Sequence, residues 1–327
     1  MSKHEKMRAV VARGYGGPEV LQVVEVDVPE PGVGQVRIAV EAATVNPVDL
    51  ATRSGALVEA GLMAPREITG VGWDVAGEVV QVGPEVEGVR VGQKVIGVRD
   101  LLDVSLGTYA EYVVLDAAAV APAPVGLTAV EAATLPLNGL TAAQSLDLIE
   151  LSEGETLLVT GATGAVGGFA VELAAQQGVQ VIAQGSDANF LRSVGARWVL
   201  PRDADLAAEV RRLVPGGAHA ALDTSGAGIR ALAAVRNRGR FVTVVGGSDP
   251  TPLARHHRPS RMDPRRCENS RAARRAAAHH PRRRHPPAAR GRRSAQPPRR
   301  RWILRTPRLD AVTGAVGRFP QPTAGAT

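Results

Sequence analysis

Cysteine and long apolar runs are almost absent from this chain. Of its 327 residues, Cys267 alone is a cysteine, so no disulfide can form within the chain, and the reducing cytoplasm is the expected compartment. No run approaches the roughly 18 apolar residues that cross a membrane, and no apolar secretion signal follows the N-terminus. The sequence therefore predicts neither a membrane span nor export.

Lysine is also rare, and charge is divided unevenly along the chain. Residues 1–254 carry 19 Lys and Arg against 29 Asp and Glu, a net charge of −10. Residues 255–327 carry 20 Arg against three acids, a net charge of +17, so the overall +7 comes from the C-terminal part. A basic chain often indicates a nucleic-acid partner, but here the body is acidic and no specific nucleic-acid partner is predicted.

Residues 251–327 have the composition of a low-complexity tail rich in Arg, Pro, Ala and His, without a period that could bury a core. Three interpretations stay open: a disordered basic arm that binds nucleic acid or acidic lipid, a solvated tail without a role, and out-of-frame translation of a GC-rich gene. The third is favoured, because lysine is rare and the change interrupts an unfinished sheet. One permitted back-translation of residues 255–270, shifted by a nucleotide, gives GITVHRVWIRADART, which alternates like a strand.

A glycine-rich turn lies between a predicted strand and a predicted helix. Glu155 to Gly168 pass from an apolar run into the turn, Phe169 to Gln177 follow as a helix, and Val179 to Ala183 form the next strand. This order is typical of a dinucleotide site, because glycine lets the backbone approach phosphates and the helix N-terminus offers free N–H groups. A turn that only packs a helix on a sheet would look similar.

Two patterns of secondary structure divide the body. Residues 7–125 read mainly as short strands, the last of them from Thr108 to Val114, with one short helix predicted from Pro47 to Arg53 and ended by Gly55. This pattern favours a small β-barrel. Residues 126–250 alternate strand and helix, including a helix from Leu140 to Leu148, with five visible strands, the last from Arg240 to Val245. This alternation favours a doubly wound parallel sheet. The predicted organisation is α/β, with domains at 7–125 and 126–250 and the tail at 251–327.

A series of motifs, in order and spacing, resembles the medium-chain dehydrogenase/reductase superfamily, specifically its zinc-free quinone oxidoreductase branch. The resemblance runs from about Met7 to Gly247. The motifs are Arg8 to Leu21, Val45 to Asp49 with Arg53 to Gly55, Gly72 to Gly77, Gly107 to Tyr112, Gly139 to Ala142, Gly161 to Gly167, Asp223 to Gly226 and Gly239 to Val242.

The resemblance implies a GroES-like β-barrel domain, a Rossmann domain that holds NADPH, and an active site in the cleft between them. The barrel domain of the family normally takes back the C-terminal segment, which here is missing or present only as the Arg-rich tail. A homodimer is possible by resemblance, although the unmatched C-terminal part disfavours it.

Catalytic zinc needs thiolate and imidazole ligands, and the stretches that match its site in related alcohol dehydrogenases have neither. Val45 to Asp49 has no cysteine, and Gly72 to Asp74 has no His-Glu pair. Four clustered cysteines for a structural zinc are also missing, so zinc is excluded. The remaining chemistry is hydride transfer to a quinone or an α,β-unsaturated carbonyl, where hydrogen-bond donors stabilise a delocalised oxyanion.

The resemblance also implies roles for residues of the barrel. Asn46 would lie beside the nicotinamide and the substrate, with Asp49 fixing the loop; the alternative is a turn residue followed by a helix cap. The branch often carries a tyrosine where this chain has Ala51, which affects substrate preference. Tyr109 is expected to pack the barrel.

Further residues are expected to bind the cofactor. Thr141 resembles the family threonine near the nicotinamide, although a helix-start role would explain it as well. The residues after the second strand of the sheet favour NADPH over NADH, because Ser186 suits a 2′-phosphate. The expected set is Thr141, the pyrophosphate turn Gly164, Ala165, Val166 and Gly167, the phosphate side Ser186, Asn189 and Arg192, and the nicotinamide flank Val245 and Gly246.

The sequence thus predicts an NADPH-dependent, zinc-free quinone or enone reductase. Because the C-terminal segment does not match, a catalytically silent NADPH-binding protein is the alternative. A basic nucleic-acid-binding arm on a Rossmann body would instead require binding that falls steeply with salt and disappears without residues 255–327.

Overall fold

A computed structural model describes residues 5–99, 102 and 105–246. The predicted tail and Cys267 lie outside these residues. In this part of the chain, no helix is long and apolar enough to cross a membrane.

The N-terminal part is built from eight antiparallel strands in two sheets. The smaller sheet has the order β2-β1-β4, the larger one the order β7-β3-β5-β6-β8, and a bridge between Ala9 and Ala110 connects them. In chain order the strands are β1 (Lys6–Arg13), β2 (Leu21–Asp27), β3 (Gln35–Ala42), β4 (Ile68–Gly70), β5 (Asp74–Val82), β6 (Lys94–Val98), β7 (Tyr112–Asp116) and β8 (Val120–Pro122).

Alternation along β3 explains how the larger sheet encloses a core. Val36, Ile38 and Val40 are buried while their neighbours are half-exposed, and they pack against Val75 and Val79 of β5. A period of two places these side chains on one face, as expected of a sheet with one apolar side. The curled antiparallel sheet is consistent with the predicted GroES-like barrel.

Two short helices connect β3 to β4. Helix α1 (Pro47–Ser54) begins after Asn46 and ends at Gly55, and helix α2 (Ala56–Glu59) follows directly. Gly55 has φ of 87°, a left-handed conformation that glycine adopts without the cost of a Cβ. The prediction of a helix from Pro47 that ends at Gly55 is confirmed.

Among the described residues up to 246, the second part forms a five-stranded parallel sheet with the order β11-β10-β9-β12-β13, as predicted for a Rossmann-like domain. Its strands are β9 (Thr156–Thr160), β10 (Gln180–Gln184), β11 (Trp198–Leu200), β12 (Ala218–Asp223) and β13 (Val235–Thr243). The helices are α3 (Ala129–Ala132), α4 (Pro136–Ile149), α5 (Ala165–Gln176), α6 (Ala188–Ser193), α7 (Leu206–Leu213) and α8 (Ile229–Ala233). Every residue of β9 is buried, because helices cover both faces of the sheet.

Several element boundaries differ from the sequence prediction. Helix α4 begins at Pro136, four residues before the predicted Leu140, because proline fits the first helical position, where no N–H bond is lost. Strand β13 begins at Val235 rather than Arg240. Strand β7 begins at Tyr112 rather than Thr108, and the short elements β4, β8 and α2 were not predicted.

Candidate active site

Asn46 is the centre of a buried hydrogen-bond network. Its side chain is 3% exposed, and its Nδ2 donates to Asp74 Oδ2 over 2.7 Å. Its Oδ1 accepts a hydrogen bond of 3.1 Å from Asn138 Nδ2. The amide thus joins β5 of the barrel to α4 of the second part, at the junction where the resemblance places the active site.

Asp49 holds the loop that carries Asn46. Its Oδ2 accepts the backbone N–H of Asn46 over 2.7 Å, and its Oδ1 accepts the N–H of Gly72 over 3.0 Å. Burial raises the pKa of Asp49, although these bonds and one from Tyr109 oppose the shift. The Asp49 carboxylate is therefore part of a capping box at the start of α1 and is also hydrogen-bonded to the loop at Gly72.

Tyr109 contacts the same carboxylate oxygen that accepts the Asn46 N–H. Its hydroxyl lies 3.2 Å from Asp49 Oδ2 and 3.1 Å from the Thr44 carbonyl oxygen, and it can donate to either. Burial, together with the nearby Asp49 carboxylate, raises the pKa of Tyr109 above its ordinary value. The phenol is therefore a neutral donor that orients Asp49, beyond the packing role expected from sequence.

Asp74 is a fully buried carboxyl group in this network. It accepts hydrogen bonds from Asn46 Nδ2 and, through Oδ1, from the Leu137 N–H at 2.7 Å. Burial raises the pKa of Asp74 to about 7, with the Asp49 charge as a smaller cause in the same direction. Its protonation state can therefore change near neutral pH.

The predicted pyrophosphate turn lies between β9 and α5 at the carboxyl end of the parallel sheet. Gly164 is the N-cap of α5, and both Gly164 and Ala165 are exposed. A Cβ added to Gly167 would lie 2.5 Å from the Gly161 carbonyl oxygen, so the helix start packs directly on the turn. The glycines of this turn carry no side chain, and the N-terminus of α5 offers backbone N–H groups, an arrangement that can hold a pyrophosphate.

Asp223 stabilises the neighbouring loop after β12. Its Oδ1 accepts the Thr160 hydroxyl at 2.6 Å, and its two oxygens accept the N–H groups of Ser225, Ala227 and Gly228. Burial favours the neutral carboxyl, but these donors outweigh it and hold the pKa of Asp223 below its ordinary value. The loop is thereby fixed beside the glycine turn, because Thr224 also donates to the Thr160 carbonyl oxygen over 2.7 Å.

The residues expected on the 2′-phosphate side follow β10. Ser186, Asn189 and Arg192 are all exposed, and Arg192 lies in the last turn of α6. Asp187, by contrast, caps α6 by accepting the Phe190 N–H over 2.9 Å. Asp187 is the only acid at this strand end within the described residues, and this bond engages one of its oxygens. The exposed Ser186 and Arg192 side chains can then bind a phosphate.

The remaining predicted residues lie on two other segments near these ends. Thr141 is half-buried on α4, three residues after Asn138, so the two share one face of the helix. Val245 and Gly246 follow β13, and the Val245 N–H donates to Thr243 Oγ1 at 3.3 Å. The expected set is therefore brought to one end of the parallel sheet and to the adjoining start of α4.

Sequence reasoning missed Asp74, Asn138 and Asp223 as site residues. Asp74 and Asp223 stood within quoted motifs, and their position at the start or end of a buried strand was an available signal. Asn138 had no such signal, because its partner Asn46 lies 92 residues earlier.

Within the described ranges, no group of three His, Cys, Asp or Glu side chains is placed to hold a metal ion. The exclusion of zinc remains a prediction drawn from residue types.

Two protein-family models match the chain. One, described as alcohol dehydrogenase GroES-like domain, matches residues 32–125, and the other, described as zinc-binding dehydrogenase, matches residues 165–262. The second match extends beyond the described residues into the tail.

Curated relatives are similar over much of the body. A chloroplastic quinone-oxidoreductase homolog from Spinacia oleracea is 37% identical over 59% of this chain and 60% of its own length. A 2-methylene-furan-3-one reductase from Solanum lycopersicum is 33% identical over 75% of this chain and 64% of its own length. The chain thus spans less than two thirds of the length of these relatives.

Solved structures cover more of the fold. The quinone oxidoreductase from Coxiella burnetii is 31% identical with a TM-score of 0.65, over 75% of this chain and 77% of its own. A mycobacterial protein solved as a complex with NADPH is 32% identical with a TM-score of 0.64, over 78% and 81%. With the matched barrel and parallel sheet, these similarities show that the chain belongs to the medium-chain dehydrogenase/reductase superfamily, in its quinone oxidoreductase branch.

Proposed function

We propose that this chain is an NADPH-dependent reductase that transfers hydride to a quinone or an α,β-unsaturated carbonyl without a metal. The observation that carries the proposal is the buried Asn46 amide, held by Asp74 and Asn138 where the barrel meets the parallel sheet. The printed names of relatives, including a quinone oxidoreductase, an NADPH-dependent alkenal/one oxidoreductase and an NADPH complex, support the same chemistry.

The protein's part in this reaction is binding, orientation and charge stabilisation. The turn Gly164 to Gly167 would hold the pyrophosphate through backbone N–H groups, and Ser186, Asn189 and Arg192 would hold the 2′-phosphate. Thr141, Val245 and Gly246 would flank the nicotinamide. When bound, NADPH supplies the hydride from its C4 position.

Asn46 is proposed to stabilise the substrate oxygen. An amide NH₂ group has two donors, and only one of them is engaged by Asp74. The second N–H is available to the carbonyl or quinone oxygen, where negative charge develops as hydride arrives. Asp49 keeps Asn46 in place, because its carboxylate accepts a hydrogen bond from the backbone N–H of Asn46.

Domain bounds, partners and location complete the proposal. We place the substrate domain at 7–125 and the cofactor domain at 126–250, with a small-molecule substrate as the partner. We keep the cytoplasm as the proposed compartment because the chain has one cysteine, although several plant relatives carry the word chloroplastic in their names. NADH is the less favoured cofactor.

Steady NADPH consumption by the full chain tests the proposal. The protein is titrated with NADPH and with NADH to measure affinity, and NADPH oxidation is then followed with a panel of quinones and enones. Turnover with at least one acceptor, with NADPH bound more tightly than NADH, is the expected result. Tight NADPH binding without turnover on any acceptor would support the catalytically silent alternative.

A further inference from the structure

The Asn46 amide lies in the middle of a chain of hydrogen bonds that has a direction. The Leu137 N–H donates to Asp74 Oδ1, Asn46 donates to Asp74 Oδ2, and Asn138 donates to Asn46 Oδ1. Asn138 Nδ2 also lies 3.4 Å from the Thr134 carbonyl oxygen. The three bonds that link Asn138, Asn46 and the Leu137 N–H to Asp74 therefore all run toward the Asp74 carboxylate, whereas Asn138 also donates to Thr134.

This direction depends on an acceptor-only group at Asp74. An ionised carboxylate has no proton to donate, so it requires the nitrogen side of the Asn46 amide to face it. That orientation directs Oδ1 toward Asn138, which must then present its own nitrogen. The Asp74 carboxylate thus orients the Asn46 amide, and the Asn46 and Thr134 oxygens, both acceptors, orient the Asn138 amide.

We propose that Asp74 and Asn138 are positioning residues that keep the Asn46 amide in one orientation, and that reversing the direction of these hydrogen bonds removes the N–H donor that Asn46 offers to the substrate oxygen. The inference rests on the proposed function, since it assigns the reason why Asn46 can act there. Neither residue needs to touch the substrate.

Protonation of Asp74 is one way to reverse the chain. The Leu137 N–H still occupies Oδ1, so the proton lies on Oδ2 and is donated to Asn46 Oδ1. Asn46 Nδ2 then faces Asn138, whose oxygen must accept. The other titratable groups that act on Asp74 in the described part of the chain are Asp49 on α1 and Tyr109 ahead of β7. Because burial raises the pKa of Asp74 to about 7, the reversal falls near neutral pH.

Substitutions can reverse the chain without a change of pH. In Asp74→Asn, the Leu137 N–H keeps the amide oxygen, so the new nitrogen faces Asn46 and the amide must rotate. The double variant Asp74→Asn/Asn138→Asp places the acceptor-only group at the other end. It preserves the number of charges and the bonds among residues 74, 46 and 138, and it replaces the 3.4 Å bond to the Thr134 carbonyl oxygen by a contact between two acceptors. An acid in the first turn of α4 suits the helix dipole.

The double variant separates orientation from mere structural support. If Asp74 and Asn138 only stabilise the junction, restoring complementary bonds should restore turnover. If orientation matters, the double variant should fold, bind NADPH with wild-type affinity and still lose kcat by about 100-fold, the size of loss expected from a misplaced catalytic group. Asn237→Asp, the same chemical change on the exposed part of β13, is the matched control and should leave kcat unchanged.

Recovery of kcat in the double variant to within about threefold of wild type would overturn the proposal. A second measurement does not require turnover. The chain has five asparagines, so selective ¹⁵N labelling gives five side-chain amide signals. The Asn46 signal, assigned through its loss in Asn46→Asp, should shift as Asp74 titrates and remain constant over the same pH range in Asp74→Asn.

An Asn46 signal that is independent of pH in the wild type would also overturn the proposal, whether or not the variants fold. If the wild type reduces no quinone or enone but the Asn46 signal titrates, the proposed reaction fails while the positioning of Asn46 stands.

Discussion

Replacing Asp74 by asparagine should change how the stability of the protein depends on pH. Asp74 is fully buried, and its pKa rises from 3.8 to about 7 on folding. The folded state therefore keeps a proton that the unfolded state releases above pH 4. Stability is then greatest at acid pH and is lost as pH rises through the folded pKa.

The size of this loss follows from the shift. About three pKa units at about 1.4 kcal/mol each correspond to about 4 kcal/mol between pH 4 and pH 8. Asparagine cannot ionise, so the unfolding free energy of Asp74→Asn relative to wild type should increase by about this amount over the same range. Because residue 74 stays bonded to the Leu137 N–H, and to Asn46 in either orientation of its amide, the slope of stability against pH is a cleaner measure than the absolute stability difference.

Denaturant unfolding at several pH values measures the difference. Asp203→Asn, which removes an exposed carboxylate, controls for the general effect of one charge and should leave the profile unchanged. A stability difference between Asp74→Asn and wild type that stays constant from pH 4 to pH 8 would refute the reasoning, because it would mean that Asp74 titrates alike in both states.

Three further predictions concern the cofactor side. Gly167→Ala should lower the free energy of unfolding by about 1–3 kcal/mol and weaken NADPH binding, because the added Cβ would lie 2.5 Å from the Gly161 carbonyl oxygen. Gly139→Ala, whose Cβ would meet nothing within 4 Å, should instead raise the free energy of unfolding by about 0.5–1 kcal/mol. Equal effects of the two substitutions in thermal unfolding would contradict this prediction. Asp223→Ala should lower the free energy of unfolding by at least about 3 kcal/mol, since it leaves buried N–H groups unpaired. Because the folded state lowers the pKa of Asp223, this loss of stability should diminish as pH falls through that pKa. An unchanged stability in denaturant unfolding would show that the Asp223 hydrogen bonds do not stabilise the loop. Arg192→Ala should weaken the affinity for NADPH on the order of tenfold and leave the affinity for NADH unchanged, both measured by titration at low salt. Equal losses of affinity for the two cofactors would exclude a contact between Arg192 and the 2′-phosphate.

Local patterns predicted much of the fold. Alternation along β3, the turn at Asn46 with the capping Asp49, and the glycines at Gly55 and Gly167 are all properties of short segments. These patterns predict the positions of strands, the start and end of α1 and the glycine turn, because each of these features depends on residues that are neighbours in sequence.

The centre of the site could not be predicted in the same way. Asp74 is 28 residues from Asn46 and Asn138 is 92 residues from it, so their contacts exist only after the barrel meets α4. The raised pKa of Asp74 likewise depends on complete burial, which no local pattern contains. Tyr109 was expected to pack, and its hydroxyl bond to Asp49 depends on the same assembly.

Transfer of deuterium from NADPH labelled at C4 to an enone would establish the proposed hydride transfer. The full chain is incubated with the labelled cofactor and an α,β-unsaturated ketone, and the product is analysed by mass spectrometry. We expect one deuterium at the β-carbon of the saturated ketone, from one of the two C4-labelled epimers only. Saturated product without deuterium from either epimer, or bound NADPH that reduces neither the enone nor any quinone, would contradict it.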